Sequence, residues 1–78
     1  MKLIAIDTVK TGKKIQQMCL EKGFTVKDIQ RELQLKTPQA VYKWFSGNNK
    51  TIPSIENLVM LGILLECHVE DLLAYMET

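Results

Sequence analysis

Residues 25–47, TVKDIQRELQLKTPQAVYKWFSG, decide the fold of this chain because they predict two short helices joined by a tight turn. The first helix is expected to begin at Thr25, whose hydroxyl can cap an unpaired backbone N–H, and Asp28 places negative charge in its first turn. Apolar residues then recur at helical spacing and predict a core-facing stripe of Val26, Ile29 and Leu33.

The second helix has its own start signal at Thr37 and Pro38. Threonine can cap a helix, and proline is tolerated at the first helical position because its missing N–H would have no partner there. The turn is therefore residues 34–36, and the second helix is expected over 38–46, with the glycine that follows able to end it. The spacing predicts an inward stripe of Val41, Trp44 and Phe45, and an outward polar side of Gln39, Lys43 and Ser46.

The outward side carries chemistry that suits the edges of base pairs. Glutamine can bond N6 and N7 of adenine together, and lysine can donate to O6 and N7 of guanine. Ala40, on the flank of the same helix, can meet a thymine methyl group. The alternative is that Gln39 and Lys43 are ordinary solvated residues of a surface helix, and these two residues alone favour that alternative.

Longer segments resemble the helix-turn-helix regulators of the phage repressor and Cro type, the XRE-like family, whose fold is an all-α, compact five-helix DNA-binding domain. GKKIQQMCLEKGFTVKDIQRELQ is similar to that family's first helix, link and second helix. PQAVYKW is similar to its third helix, and IPSIENLVMLGILLECHVEDLL to its fourth and fifth. PQAVYKW followed by a Gly/Asn/Lys loop also resembles a small Gram-positive-type subgroup.

The resemblance implies sequence-specific binding of double-stranded DNA by a small transcriptional regulator, with the third helix (38–46) in the major groove. It implies base contacts from Thr37, Gln39, Ala40 and Lys43. It also implies phosphate contacts from the start of the second helix and the loop after the third. Together with Lys36 before the third helix and Tyr42 on it, the expected phosphate-contacting residues are Thr25, Lys27, Lys36, Tyr42, Asn48 and Lys50. For Tyr42, plain packing is an equal alternative.

The turn departs from the family's pattern. Gln30 stands where a small residue is usual, Gln34 and Leu35 stand where a glycine is usual, and the turn is one residue longer. Val26 takes the place of a glutamine that many members use to hold a phosphate or to support the base-reading glutamine. These differences concern the angle at which the third helix would meet DNA.

The charge of the chain is unevenly distributed. The formal net charge is +1, but all ten basic residues precede residue 52, where only four acids accompany them, for a balance of +6. The rest of the chain carries five acids and no lysine or arginine. This asymmetry predicts a basic face for phosphates and an acidic face turned away from them. The alternative is a coincidence of solvated lysines.

A length of 78 residues allows one small domain with a single modest core and little surface for a separate catalytic lobe. The sequence has one histidine, His68, and two distant cysteines, Cys19 and Cys67, so it offers no metal cluster and no nucleophile–base pattern. We therefore expect no enzyme activity, no cofactor and no small-molecule effector. Without a signal peptide or a membrane-spanning apolar run, the chain is expected in the cytoplasm with reduced thiols.

The remaining elements follow from capping and spacing. Residues 1–10 are expected to form an N-terminal arm that packs on the body, pairs with a second copy or is disordered, and residues 11–76 the DNA-binding domain. Helix one is expected from near Thr11 to Gly23, with an inward stripe of Ile15, Met18 and Cys19. Ser54 is expected to cap helix four, whose packing stripe is Ile55, Leu58, Leu61, Gly62 and Leu65.

Helix four is also apolar on its outer side, where Met60 and Ile63 occupy positions that related sequences usually give to polar residues. Exposed apolar residues indicate an interface, and operators of this family are commonly read by symmetric pairs. We therefore expect a twofold homodimer contact through Met60, Ile63, Leu64 and Tyr75. The alternative is that the N-terminal arm buries these side chains.

A different class of function competes with DNA reading: a small helical protein-interaction module, antitoxin-like or an adaptor, that does not bind DNA by itself. The two functions differ in salt dependence, because neutralising several phosphates makes affinity fall steeply with salt. The affinity for an apolar groove on a protein partner would change little with salt concentration.

Overall fold

Helices make up most of the chain. A computed structural model describes residues 4–46 and 51–77. Within these residues five helices and two strands follow in the order β1 (Ile4–Ile6), α1 (Thr8–Glu21), α2 (Val26–Glu32), α3 (Gln39–Phe45), α4 (Ile55–Leu65), α5 (Val69–Leu72) and β2 (Tyr75–Glu77). The five-helix architecture expected from the sequence is confirmed, and a two-stranded sheet is added to it.

Helix α1 begins earlier than the expected start near Thr11. The carboxylate of Asp7 accepts a hydrogen bond from the backbone N–H of Lys10 (3.0 Å) and thereby caps the helix. The expected start is wrong because this aspartate cap lies upstream of it. The end of α1 is as expected, since Gly23 has a φ of 80° and the N–H of Phe24 donates to the carbonyl of Cys19 (2.9 Å).

Helix α2 has the start that the sequence predicts. The backbone N–H of Thr25 donates to the Asp28 carboxylate (2.8 Å), and the N–H of Asp28 donates to the Thr25 hydroxyl (3.1 Å). This reciprocal pair satisfies two backbone donors that the first turn would otherwise leave open. After α2, Gln34 takes a left-handed conformation with a φ of 55°, which reverses the chain toward α3.

Helix α3 begins at Gln39, one residue later than the sequence predicts, and Pro38 occupies the capping position without a side-chain capping bond. The expected cap by Thr37 is therefore wrong. The proline ring itself holds the backbone in the helical range, with a φ of −73°, so the helix starts without a hydroxyl cap. At the other end Ser46 is extended and lies just outside the helix.

Helix α4 is capped by Ser54, as expected, because its hydroxyl accepts the backbone N–H of Asn57 (3.3 Å). The expected burial of Ile55 is wrong: its side chain is 73% exposed. In a helix Ile55 belongs both to the row of Leu58 and to the row of Val59, and the second row is the one that faces outward. Pro53, two residues earlier in the chain, is buried instead.

The short helix α5 follows directly on α4. A Cβ added to Gly62 would lie 2.8 Å from the carbonyl oxygen of Cys67, so the glycine of α4 lets the connecting backbone pass close by. The N–H of His68 donates to the Asp71 carboxylate (3.0 Å), which places His68 at the start of α5. Leu72 of α5 is fully buried and joins the core.

The described part of the N-terminal arm is an extended strand that packs on the body of the same chain. Ile4–Ile6 pairs antiparallel with Tyr75–Glu77, with Ile6 opposite Tyr75. The hydroxyl of Thr11 donates to the carbonyl of Ala74 (3.2 Å) and accepts its N–H (2.9 Å). Of the three possibilities for the arm, packing on the body is therefore the one observed.

The core lies at the junction of the five helices. It contains most of the apolar residues expected from α1, α2 and α3 together with those of α4 and α5: Ile15, Cys19, Ile29, Leu33, Val41, Trp44, Leu58, Leu61, Leu65 and Leu72. Met18, Val26 and Phe45, which the spacing also places inward, are half-buried and pack against this core. Because every helix contributes at least one buried side chain, the position of α3 is fixed by the whole domain.

Candidate nucleic-acid interface

Helix α3 is held firmly on its inner side. Val41 and Trp44 are buried, as the spacing predicts, and Phe45 packs against them as a half-buried neighbour. At the end of α3 the carbonyl of Trp44 lies against Gly12 of α1, where no side chain would fit. A helix anchored in this way keeps its outer side chains in a fixed position relative to the domain.

The outer side of α3 presents the polar residues that the sequence places there. Gln39 and Lys43 are both exposed and, four residues apart, lie on one face. Neither side chain has a hydrogen bond or an ion pair with another residue in the described part of the chain. Their donors and acceptors are therefore available to a ligand.

The other two expected base-contacting residues have different surroundings. Thr37 is exposed in the turn before α3. Ala40 is half-buried and packs against the core, so only part of its methyl group faces outward. That Ala40 meets a thymine methyl stays a prediction, and the packing limits the area that such a contact can use.

The lysines expected to contact phosphates differ in their pairing from Arg31 of the same two-helix segment. Lys27 and Lys36 are exposed and, among the described residues, have no carboxylate within ion-pair distance. Arg31, in contrast, lies 3.1 Å from Asp28 and 3.7 Å from Glu32. Among the described residues of this segment, the cations without an ion pair thus lie at the start of α2 and in the turn before α3, and the paired arginine lies near the end of α2.

Thr25 and Tyr42 complete the described part of the expected phosphate set. The N–H of Thr25 is already bonded to the Asp28 carboxylate, so only its hydroxyl hydrogen is available for a phosphate. This bond, together with the Thr25 hydroxyl, the nearby Arg31 and its hydrogen bond, lowers the pKa of Asp28. Tyr42 is 58% exposed beside Lys43, so it is not simply packed in the core. Asn48 and Lys50 lie outside the described residues.

Two residues that position α3 were not expected from the sequence. The side-chain amide of Gln30 donates to the carbonyl of Leu35 (3.3 Å), and the N–H of Leu35 donates to the carbonyl of Gln30 (2.9 Å). These bonds brace the longer turn from inside, which gives the unusual Gln30 a structural role. Gly12 is the second such residue, and a glycine inside a helix is a signal of close backbone approach.

The residues expected at a dimer contact lie on two separate elements. Met60, Ile63 and Leu64 of α4 line a hollow of about 170 Å³ with Glu32 and Leu33 of α2. Tyr75 lies in β2, which contacts β1 and α1. Ile63 is 74% exposed, so the described part of the arm leaves it uncovered, whereas Tyr75 lies opposite Ile6 of that arm.

The described residues were also compared with what a reactive thiol, a metal site or a membrane-spanning helix requires. Burial raises the pKa of the Cys19 thiol to about 11, which leaves it protonated and unreactive at neutral pH. Among the described residues, no group of His, Cys, Asp and Glu side chains is arranged to hold a metal ion. No helix in this part of the chain has both the length and the apolar character needed to cross a membrane.

One of three comparisons with known proteins agrees with the geometry of α2 and α3. No curated protein and no solved structure matches the chain. A family model described as helix-turn-helix matches residues 15–72, which include all of α2, α3, α4 and α5 and the second half of α1. By this match over most of its length, the chain belongs to the XRE-like helix-turn-helix family of DNA-binding regulators.

Proposed function

We propose that this protein is a transcriptional regulator that binds double-stranded DNA sequence-specifically with α3 in the major groove. The observation that carries the proposal is the pair Gln39 and Lys43, exposed and unpaired on a helix whose other side is locked in the core. Polar side chains at this spacing on an anchored helix suit direct contacts with the edges of neighbouring base pairs. In this proposal Thr37 and Ala40 complete the base-reading set.

The proposed phosphate contacts surround that set. Lys27 and Lys36 supply unpaired positive charge, Thr25 and Tyr42 supply hydroxyl donors, and Asn48 and Lys50 extend the set into the following loop. Phosphate contacts fix the register of the domain on the duplex and carry no sequence information of their own. Regulation of transcription in the cytoplasm, by a protein of the small Gram-positive-type subgroup, is the proposed setting.

A symmetric operator would require two copies of the protein. We propose a homodimer that uses Met60, Ile63 and Leu64 of α4, and Tyr75 of β2 stays a separate prediction. Two half-sites roughly one helical turn apart, about 34–36 Å, would be read by such a pair.

The test is selection of bound duplexes from a random pool, followed by variants of the proposed contacts. We expect Gln39→Ala and Lys43→Ala each to relax preference at one base pair by about 1–3 kcal/mol. Lys27→Ala, Lys36→Ala and Lys50→Ala should weaken all sequences alike and lower the salt dependence by roughly one phosphate each. Gln17→Ala, an exposed glutamine on α1, is the matched control and should change neither.

An unchanged base preference in Gln39→Ala would overturn the proposed position of α3. If no duplex is selected and binding to DNA is absent even at low salt, the chain fits the alternative of a protein-interaction module instead. The salt series and the single variants therefore separate the two functions.

A further inference from the structure

Helix α4 carries more apolar surface than the core covers. Its buried side consists of Leu58, Leu61, Gly62 and Leu65. Away from the core, a row at intervals of four residues stays exposed, which we name the α4 row: Ile55 (73%), Val59 (45%) and Ile63 (74%). A contiguous exposed apolar patch of this kind is typical of an interaction surface.

A hollow of about 490 Å³ lies between α4 and α5 and adjoins the α4 row. Its apolar lining residues are Val59, Ile63 and Val69, and its carboxylates are Glu66 and Asp71. Two members of the α4 row thus form part of its wall. We call the α4 row and this hollow together the α4–α5 surface.

Carboxylates outnumber ammonium groups at the α4–α5 surface. Glu56, three residues before Val59, and Glu70 of α5 are exposed, in addition to Glu66 and Asp71 of the hollow. Neither α4 nor α5 contains a lysine or an arginine. The surface therefore repels phosphate-bearing partners such as nucleic acids and anionic membranes.

Two lysines reach the region of the hollow, and each has a partner. Nζ of Lys22 lies 3.6 Å from the Glu66 carboxylate, and Nζ of Lys14 donates to a backbone carbonyl at the end of α5 (3.2 Å). Together they offset two of the four negative charges. Asp71 accepts the N–H of His68 (3.0 Å), and its carboxylate has no ion pair among the described residues. It is therefore the open anionic position of the hollow.

We propose that the α4–α5 surface docks a helical segment of another protein, one whose apolar side chains are flanked by lysine or arginine. A row of aliphatic side chains at helical spacing packs into the groove between the side-chain rows of a second helix. An apolar side chain of that segment enters the hollow, where a neighbouring lysine or arginine reaches the Asp71 carboxylate. The negative balance selects such a segment over an acidic one.

The α4–α5 surface differs from the dimer contact of the proposed function. That contact uses Met60 and Leu64, which border the smaller hollow beside α2, and the two hollows share only Ile63. At 100° per helical residue, Ile55 lies on the flank of α4 that Val59 occupies and not on that of Met60. Substitutions at Ile55 and in α5 therefore test this inference without altering the proposed dimer or α3.

The experiment selects binders of the full chain from a library of displayed helical peptides. Each peptide has about 16 residues, or roughly 24 Å of helix, with leucines at intervals of four and random residues at the flanking positions. We expect the selected peptides to be enriched in lysine and arginine beside the leucine row. The same peptides with glutamate in place of lysine and arginine should bind at least about tenfold more weakly.

Variants of the full chain locate the bound peptides, with thermal unfolding as a check that each variant is folded. Ile55→Ser should raise the Kd about tenfold, because it removes an aliphatic contact. Asp71→Asn keeps an oxygen that can accept the N–H of His68 and should raise the Kd about two- to fivefold, an effect that salt diminishes. The matched controls, Ile4→Ser at a 62% exposed isoleucine of β1 and Glu32→Gln of α2, should leave the Kd within about twofold.

Several results would overturn the inference: no selected helix, an enrichment in acidic residues, or losses in Ile4→Ser as large as those in Ile55→Ser. Peptides that Met60→Ser releases and Ile55→Ser retains would also overturn it, because they bind the flank beside α2. DNA binding separates this inference from the proposed function, since Ile55→Ser should bind duplexes as the wild type does. A chain that binds the peptides and no duplex would retain the docking surface and lose the DNA proposal.

Discussion

Gly12 of α1 and Trp44 of α3 approach so closely that a side chain on Gly12 would overlap the carbonyl oxygen of Trp44. The obstacle is backbone, which cannot rotate away as a flexible side chain can. The backbone of α3 therefore rests directly on α1, and the outer residues of α3 are positioned by this contact.

Gly12→Ala should consequently destabilise the protein severely. We expect a loss of about 3 kcal/mol in the free energy of unfolding, since the added methyl forces α1 and α3 apart. Gly23→Ala is the comparison: nothing lies within 4 Å of its added Cβ, and its φ of +80° should cost only about 1 kcal/mol. Urea unfolding measures both, and equal losses would show that conformation, and not the contact with Trp44, limits position 12.

Thr11 connects α1 to the C-terminal segment through one buried hydroxyl. It donates to the carbonyl of Ala74 and accepts its N–H. Thr11→Val keeps the shape and leaves the N–H of Ala74 unpaired, whereas the Ala74 carbonyl still accepts the N–H of Asp7 (2.9 Å), so we expect a loss of about 1–3 kcal/mol. Thr11→Ser keeps both bonds and should lose less. Hydrogen exchange at the Ala74 amide should accelerate in the valine variant, and an unchanged rate there would refute the role of the hydroxyl.

Local signals were enough to predict most of the helices. The caps at Thr25 and Ser54 and the end of α1 at Gly23 depend on neighbours within a few residues, and the structure has each of them. The exposure of Gln39 and Lys43 followed from the same helical spacing that buries Val41 and Trp44. Whether those exposed residues contact bases stays a prediction.

Features that depend on distant parts of the chain were not predictable in this way. The strand Ile4–Ile6 pairs with Tyr75–Glu77 from the opposite end of the chain, and three residues are too few to show an alternating pattern. Ile55 fits two helical rows equally well, so spacing could not assign its side. Gln30 was visible as a departure from the family's pattern, but its bond to Leu35 exists only once the turn has formed.

The lowered pKa of Asp28 gives a pH dependence with a definite sign. Its folded-state pKa lies below its unfolded value, which is about 3.9. The stabilisation is therefore complete above about pH 5, declines as the pH falls through the unfolded-state pKa, and is lost once the pH has fallen through the folded-state pKa. We expect Asp28→Asn to be less stable than the wild type at pH 7 and to approach it as the pH is lowered toward 3. A difference that widens on acidification would contradict the origin of the shift in the Thr25 bonds.

The left-handed residue of the turn offers a stabilising change. Gln34 has a φ of 55°, a conformation that glycine adopts without the steric cost that a Cβ brings. We expect Gln34→Gly to raise the free energy of unfolding by about 0.5–1 kcal/mol, after allowance for the greater freedom of glycine in the unfolded chain. Chemical unfolding of the wild type and of Gln34→Gly measures the difference in the free energy of unfolding. A less stable glycine variant would mean that the Gln34 side chain itself supports the turn.

Gln30 links the structure of the turn to the proposed base contacts, because its side chain bonds the turn that leads into α3. Gln30→Met has a similar shape but cannot donate to the Leu35 carbonyl, so we expect a loss of about 1 kcal/mol in stability. Because that bond sets the path from α2 into α3, the variant should also lose part of the base preference assigned to Gln39 and Lys43. Its salt dependence should stay unchanged, since no lysine is altered.

Stability can be restored in a Gln30→Met/Gln34→Gly double variant, and the base preference of that protein then separates two possible roles of Gln30. Recovery of stability without recovery of base preference would show that Gln30 sets the angle of α3, whereas recovery of both would reduce it to a residue that merely holds the turn together.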